Sequence, residues 1–439
     1  MANDTMQKSV RRYENVRDSG IEWIGAVPSD WSIYTLGQLA IQVKNKNLQL
    51  QENNLLSLSY GKIKRKNIET KEGLLPASFD NYNIIDAGDI VLRLTDLQND
   101  HTSLRVGLAT EKGIITSAYV TLRPKNLALP AFMYYVLHAF DIRKGFYGMG
   151  AGVRQGLKFE EVRQIKLCVP SPDVQQDIVD YLNQKCALIE SFIIDAKTSI
   201  EEYKAWKSSI IYEAVTKGLN PNVEMKESGV EYLGKIVSSW DITRLKFLLS
   251  TPLQYGANEA GLTYDKQLPR YIRITDISLD GQLKTEGMQS VSEEVAQKYL
   301  LDEGDILLAR SGATAGKSFY YKREYGRSAF AGYLIRAKIN PDKALPKYIY
   351  YTTLGAGYDM WRSSTLIQST IQNISAARYN EYVIALPSIP EQRKIVSFLD
   401  KICSSIDDLI AEKNALIAEL ESYKKSLIFE AVTGKRKVV

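Results

Sequence analysis

Glu227–Trp240 reads ESGVEYLGKIVSSW, and Asp18–Trp31 reads DSGIEWIGAVPSDW. Ser19-Gly20 matches Ser228-Gly229, Glu22 matches Glu231, Gly25 matches Gly234 and Trp31 matches Trp240, with Trp23 standing where Tyr232 does. The register continues outward. DAGDIVLRL (Asp86–Leu94) answers DEGDILLAR (Asp302–Arg310), and LPAFMYYVL (Leu129–Leu137) answers LPKYIYYTT (Leu345–Thr353). VPSPDVQQDIVDYL (Val169–Leu182) answers LPSIPEQRKIVSFL (Leu386–Leu399), and YEAVT (Tyr212–Thr216) answers FEAVT (Phe429–Thr433). A repeat this long is a duplicated domain rather than a solenoid of short units.

Each half ends in a helix pattern. Ile178, Leu182, Lys185, Ile189, Phe192, Ala196, Ser199, Tyr203, Trp206 and Ile210 follow heptad spacing, as do Ile395, Leu399, Ile402, Ile406, Leu409, Lys413, Leu416, Leu420, Tyr423 and Leu427. Prolines mark each start, and Gly218 and Gly434 mark each stop. Forty-odd residues of helix make a rod of roughly 65 Å. Two such rods in one chain point to mutual, antiparallel pairing and a pseudo-twofold duplication. Cys186 and Cys403 are equivalent positions that such pairing would put at opposite ends, so no disulfide is expected. Before each rod, DIVLRL, AYVTLRP, RYIRITDI, DILLAR and YLIRAKI read as strands, and PAFMYYVLHAF and PKYIYYTTL as helices with proline in the first turn. The fold class is α+β.

Composition sets limits. The 439 residues, 45% hydrophobic and 24% charged, fit a soluble two- or three-domain protein. Neither an apolar run long enough to span a membrane nor a secretory leader is seen, so the expected location is the cytoplasm. Three cysteines without CxxC spacing read as reduced thiols. With two histidines, His101 and His138, a His-rich metal site is excluded. A net charge of +5 allows a polyanionic partner without requiring one.

The repeat, the GDI strands, the proline-led EQ-type helix starts and the EAVT helix ends together resemble the specificity subunit of type I restriction-modification enzymes. The first half carries PDVQQ (Pro172–Gln176) where the second has PEQRK (Pro390–Lys394). The resemblance implies two globular target-recognition domains separated by two long antiparallel helices that act as a coiled-coil spacer. On that basis the expected layout is an N-terminal segment 1–29, a first recognition domain 30–172, a first spacer helix 173–218, a linker 219–239 repeating the N-terminal segment, a second recognition domain 240–389, a second spacer helix 390–434 and a basic tail 435–439. It implies binding of double-stranded DNA at a bipartite target, one half-site per domain. It implies docking of two modification (methyltransferase) subunits, joined by restriction/translocase subunits. Phage defence would be the setting. S-adenosylmethionine, ATP and magnesium would belong to those partners, with no cofactor or metal on this chain.

Candidate DNA contacts follow from residue type. Lys44, Lys46, Lys62, Lys64, Arg65 and Lys66 form a basic stretch suited to phosphates, or an ordinary solvated face. GMGAGVRQGLKFEEV (Gly148–Val162) aligns with STLIQSTIQNISAAR (Ser364–Arg378). Gln155, Gln368, Gln372 and Asn373 could read adenine, Arg154 could read guanine, and Lys158 lies beside them. Capping and domain packing is the competing role for this loop. Arg93 and Arg310 end the GDI strands, and either could face DNA or pair with carboxylates. Arg270 and Arg273 lie in a segment for which strand packing is the favoured reading. ARSGATAGKS (Ala309–Ser318), with Lys317, has one residue too few between its glycines for a phosphate loop. No methyltransferase or helicase motif appears, so no catalytic residue is named. The competing readings are a stand-alone nuclease or nucleotide-dependent DNA enzyme, and a recognition subunit of another modification or defence system.

Overall fold

In the computed structural model, which describes residues 11–68, 76, 78–97, 99–100, 102, 104–149, 156–278, 281–367 and 373–438, the repeated motif is a small β-hairpin. Val16–Asp18 pairs antiparallel with Ala26–Pro28, and Met225–Glu227 with Lys235–Val237. In both copies a serine N–H donates to a glycine carbonyl (Ser19 to Gly25 and Ser228 to Gly234, each 3.1 Å). Gly25 and Gly234 adopt φ of +74° and +57°, a region that a side chain would strain. Arg17 donates to the Trp31 carbonyl at 2.6 Å, and Lys226 to the Trp240 carbonyl at 2.7 Å. Trp31 and Trp240 are each 1% exposed. The motif therefore seats one large ring in each core.

The globular parts share a topology. The first contains β1 (Ser32–Thr35), β2 (Ala40–Gln42), β3 (Leu56–Ser59), β4 (Lys62–Arg65), β5 (Ile90–Leu92), β6 (Val106–Leu108), β7 (Val120–Pro124), helix α1 (Pro130–Ile142) and β8 (Lys166–Val169), and then the long helix α2 (Pro172–Lys217). The second contains β9 (Asp241–Arg244), β10 (Gln254–Tyr255), β11 (Ile306–Ala309), β12 (Ser318–Tyr320), β13 (Leu334–Ala337), α3 (Pro346–Thr352) and β14 (Val383–Leu386), and then the long helix α4 (Ile389–Val432). Sheet order β2-β7-β5-β6 in one is β10-β13-β11-β12 in the other, and β1–β8 matches β9–β14. The strand expected through Arg270–Ile277 stops at Ile272. A tight turn, Ile274–Asp276, follows, because the Asp276 carboxylate captures the Arg273 N–H at 2.8 Å and closes it.

Both long helices start on the same clasp. Gln175, 1% exposed, accepts from the Leu129 N–H at 2.8 Å and donates to the carbonyls of Pro170 (3.0 Å) and Leu127 (3.2 Å). Gln392, 0% exposed, accepts from the Leu345 N–H at 2.8 Å and donates to the Pro387 carbonyl at 2.8 Å. The difference between PDVQQ and PEQRK thus leaves the functional glutamine in place. Each clasp ties the first turn of a long helix to the start of α1 or α3 with buried, satisfied hydrogen bonds.

The chain forms two compact units, Met1–Ala196 with Ala415–Val439, and Lys197–Asn414. Each unit therefore contains the start of one long helix and the end of the other. In the first, Ile178, Leu182, Cys186, Ile189 and Ile193 of α2 share a core with Leu427, Ile428, Ala431 and Val432 of α4. In the second, Ile395, Leu399 and Cys403 share a core with Ile211, Ala214 and Val215. Within each unit the two segments run antiparallel: Lys424–Glu190 (2.6 Å) is followed by Arg436–Tyr181 (3.4 Å) in the first, and Lys207–Asp407 (2.6 Å) goes with Gly218 beside Glu391 in the second. Gly218 and Gly434 follow the helix ends at φ of +72° and +69°. Lys435, Arg436 and Lys437 are tied to Ala26, Glu430 and Arg11.

The buried stripe departs from strict heptads. Cys186, Ile193 and Ile200 face inward where Lys185, Phe192 and Ser199 were expected, and Phe192 and Trp206 are 51% and 49% exposed. Leu409, Leu416 and Tyr423 of α4 are exposed likewise. An α-helix of 3.6 residues per turn drifts against a seven-residue repeat, and one extra step of four early in each rod absorbs the drift. Cys168, Cys186 and Cys403 are buried free thiols. Burial raises each above the ordinary thiol range, Cys403 to about 11.

One difference between the copies is testable. Trp240 Nε1 donates to Glu391 Oε2 at 3.0 Å, whereas the buried Trp31 Nε1 has no partner among the described residues. Val174 occupies the position equivalent to Glu391. Val174→Glu is expected to supply the missing acceptor and stabilise the first unit by about 1 kcal/mol, the typical net value of a hydrogen bond. Thermal unfolding checks this, and a lower melting temperature would refute it.

Candidate nucleic-acid interface

Two candidate loops meet in each unit. In the first, the Leu157 N–H donates to the Leu94 carbonyl at 2.9 Å, and Thr95 bridges to Gly156. In the second, the Ile374 N–H donates to the Arg310 carbonyl at 2.7 Å, and Ser311 bridges to Asn373. The segment after the GDI strand is thereby joined, by the same antiparallel bridge, to the segment that leads into the final strand and rod. Arg154, Gln155, Gln368, Gln372 and His101 lie outside the described residues.

The bridge keeps the register in which DAGDIVLRL aligns with DEGDILLAR. Leu94, not Arg93, occupies the position of Arg310. A one-residue offset in a strand puts side chains on opposite faces. Ile90, Leu92 and Leu94 belong to the large core of the first unit, and Val91 belongs to a small cluster on the other face. Arg93 follows Val91 in alternation, with Asp100 3.6 Å away.

In the second unit the bridge adjoins a cluster of aromatic and cationic groups. The Arg310 guanidinium lies over the Tyr255 ring, 5.0 Å from its centroid. The Tyr255 hydroxyl accepts from the Ala376 N–H at 3.0 Å. The Arg310 N–H donates to the Tyr333 carbonyl at 3.0 Å, and Tyr333 is 62% exposed. Strand register puts Arg310 opposite Tyr333 and Tyr255 opposite Ile335, all on one face at the end of the sheet. Asn373 Oδ1 has no hydrogen-bond partner among the described residues. Half-buried Lys317 closes the β11–β12 turn through its backbone, with its N–H donating to the Thr314 carbonyl at 2.9 Å. The Gly316 N–H returns to the Ala309 carbonyl, so this glycine-rich stretch is a strand connection and not a phosphate cradle.

In the first unit the basic stretch is an antiparallel hairpin of β3 and β4. Its turn, Tyr60-Gly61, has φ of +49° and +75°, the paired positive values of a two-residue hairpin turn, and holds Tyr60 80% exposed at the tip. Lys62 pairs with Glu190 at 3.1 Å, and Arg65 with both oxygens of Glu111. Lys46 donates to the Asn81 carbonyl at 2.8 Å. Lys44, Lys64, Lys66 and Lys158 are exposed. Arg273 forks onto Asp276 (3.0 and 2.6 Å), and Arg270 donates to the Lys284 carbonyl, so both serve local structure. The sequence reading missed Tyr60, Tyr255 and Tyr333, because 27 tyrosines offer no pattern that marks these three.

Two buried polar groups lie on α1. His138 stacks on Tyr134 (5.6 Å), and burial pulls its pKa down to about 4, leaving a neutral ring. Asp141 accepts from the Arg105 N–H at 2.7 Å, and burial pushes its carboxyl up to about 6 despite Arg105 and Lys144. Among the described residues no group of His, Cys, Asp or Glu could hold a metal, and no helix is long and apolar enough to cross a membrane.

Duplicated α+β lobes, each joined to a long helix, are the fold of a solved chain from work on complex assembly and conformational transition of the type I R-M system. That chain matches with a TM-score of 0.67 and 15% identity, over 92% of this chain and 98% of its own length. The family model for the type I restriction modification DNA specificity domain matches residues 28–197 and 271–419. The protein belongs to this family. Its relatives include the type I restriction enzyme StySPI specificity subunit of Salmonella potsdam, 28% identical over 40% of this chain and 38% of that one. The EcoBI specificity subunit of Escherichia coli is 21% identical over 61% and 58%, so the chain spans less than two thirds of either of these two relatives. The putative MjaX specificity subunit of Methanocaldococcus jannaschii is 20% identical over 94% and 96%.

The raised Asp141 carboxyl gives a pH signature. A folded pKa of about 6 exceeds the ordinary 3.8, so the stability this group supports is present below about pH 4 and is lost as pH rises to about 6. Asp141→Asn is expected to flatten that part of the stability profile, by a difference of the order of 3 kcal/mol between its ends. Denaturant unfolding of both proteins from pH 4 to pH 7 checks it.

Proposed function

We propose that this chain is the DNA sequence-specificity subunit of a type I restriction-modification complex. The observation that carries the reading is the bridged loop pair, built twice on a duplicated frame in a member of the DNA specificity family. Each unit reads one half of a bipartite duplex target. In the second, Arg310 offers a guanine-type donor fork, and Tyr255 and Tyr333 flat apolar surface. In the first, Lys44, Lys64 and Lys66 meet phosphates, which position the duplex without specifying sequence.

The chain performs no chemistry in this reading. Two modification subunits dock on the long helices and neighbouring segments, where Phe192 and Trp206 leave apolar surface exposed, and restriction subunits join them. Adenine methylation from S-adenosylmethionine, and ATP- and magnesium-dependent translocation and cleavage, take place on those partners, in the cytoplasm. A duplex repeats its major groove about every 34 Å, so a bipartite target asks for a set spacing between its two readers. A flexible linker would spread that distance.

The test is reconstitution with the cognate modification subunits and methyl donor, followed by mapping of methylated adenines. A split target with two specified halves is expected. Arg310→Ala with Tyr333→Ala is expected to cost at least tenfold in discrimination at one half-site and nothing at the other. Lys64→Ala with Lys66→Ala should weaken binding evenly across sequences and reduce its salt dependence. Methylation without sequence preference, or methyl transfer by this chain alone, would refute the reading.

A further inference from the structure

Arg105 is a fully buried arginine, 0% exposed, immediately before β6. Its five N–H donors meet five acceptors. Nε donates to the Tyr147 hydroxyl at 2.9 Å. Nη1 donates to the carbonyls of Arg93 (3.0 Å) and Thr95 (2.7 Å), and Nη2 to those of Asp96 (3.3 Å) and Asp100. The Tyr147 hydroxyl donates in turn to the Asp100 carbonyl at 3.1 Å, and its ring lies 4.9 Å from the guanidinium carbon. One side chain thus collects four backbone carbonyls from the segment that follows the GDI strand, the segment bridged to Gly156. Asp96 is held there at φ of +56°, a conformation disfavoured for a residue with a side chain and sustained only when its surroundings fix it.

No counterpart stands among the described residues of the second unit. There the equivalent turn is pinned by two phenols, Tyr379 to the Ala309 carbonyl at 2.8 Å and Tyr358 to the Gly316 carbonyl at 2.7 Å. The backbone bridge is shared, while the device beneath it is private to each unit. A planar fork with five fixed donors imposes one arrangement of its carbonyls. A lysine ammonium offers three donors at a single point and leaves some of those carbonyls unpaired.

We propose that Arg105 is a positioning residue that sets the shape of the first unit's reading loop and thereby helps determine which half-site that unit accepts. The proposal rests on the DNA-reading function above. Arg105 touches no base. It acts by fixing where Arg93, Thr95 and Asp96 sit, and a misplacement of about an ångström is enough to disturb an oriented contact.

The experiment uses the full complex with its modification subunits. Methylation rates are measured on duplexes carrying single substitutions through both half-sites, for the wild type, R105K, R105Q and, to mark the other half-site, R310A. R105K and R105Q are expected to lose at least tenfold in discrimination at the half-site that R310A leaves untouched, with partner binding and the second half-site profile unchanged. A merely structural role would instead lower activity on all duplexes alike. That result, or an unaltered profile in assembled R105K, overturns the proposal. Should neither Arg105 variant assemble, Y147F decides the matter, since it removes only the hydroxyl. A smaller loss at the same half-site supports the proposal, and an unaltered profile overturns it. A wild-type complex without sequence preference would instead sink the underlying DNA-reading assignment.

Discussion

Each compact unit closes its core with the start of one long helix and the end of the other. Leu427, Ile428, Ala431 and Val432, all 0–1% exposed, lie at the far end of the sequence and complete the core that Trp31 and Ile178 begin. Ile211, Ala214 and Val215 do the same beside Trp240 and Ile395. Full burial of such aliphatic side chains contributes about 1.5–3 kcal/mol each. Each long helix is therefore held at both ends by packing rather than by its own propensity, which a rod with a largely polar surface would not sustain alone.

Given that constraint, direction matters more than bulk. A helix buried along one stripe can still rotate or slip if only apolar contacts hold it. The Gln175 and Gln392 clasps remove that freedom. Each binds backbone groups before the helix and at the start of α1 or α3, and a buried amide has no alternative partner if the helix turns. The hairpins add a second fixture. Trp23 contacts both Phe140 and Phe429 in the first unit, and the Tyr212 hydroxyl reaches the Leu233 carbonyl in the second.

The frame was readable from sequence because duplication doubles every signal. Glycine and tryptophan positions, the GDI strands, proline-led helices and rod ends all recur, and each acts through local geometry that the residue type itself dictates. The seam was read less well. Lys185, Phe192 and Ser199 fit the heptad count, yet the 3.6-residue turn carries burial to Cys186, Ile193 and Ile200. The site was hardly legible. Arg270 and Arg273 look like DNA contacts by type but spend their donors on Lys284 and Asp276. Arg105 carried no signal at all, because its role depends on four carbonyls that only the folded loop brings together.

Arg93 and Arg310 show why residue type alone is a poor guide to recognition in a duplicated reader. Both are arginines, both end the same strand, and the bridge that follows is the same. One residue of offset turns one toward Asp100 and the other over Tyr255, on opposite sheet faces. A frame held by buried clasps tolerates this, since neither arginine supports the core. The shared backbone bridge fixes where a loop begins and ends, and the buried groups under it fix its course. Two units can then present different surfaces from one architecture, over supports as different as a guanidinium and a pair of phenols.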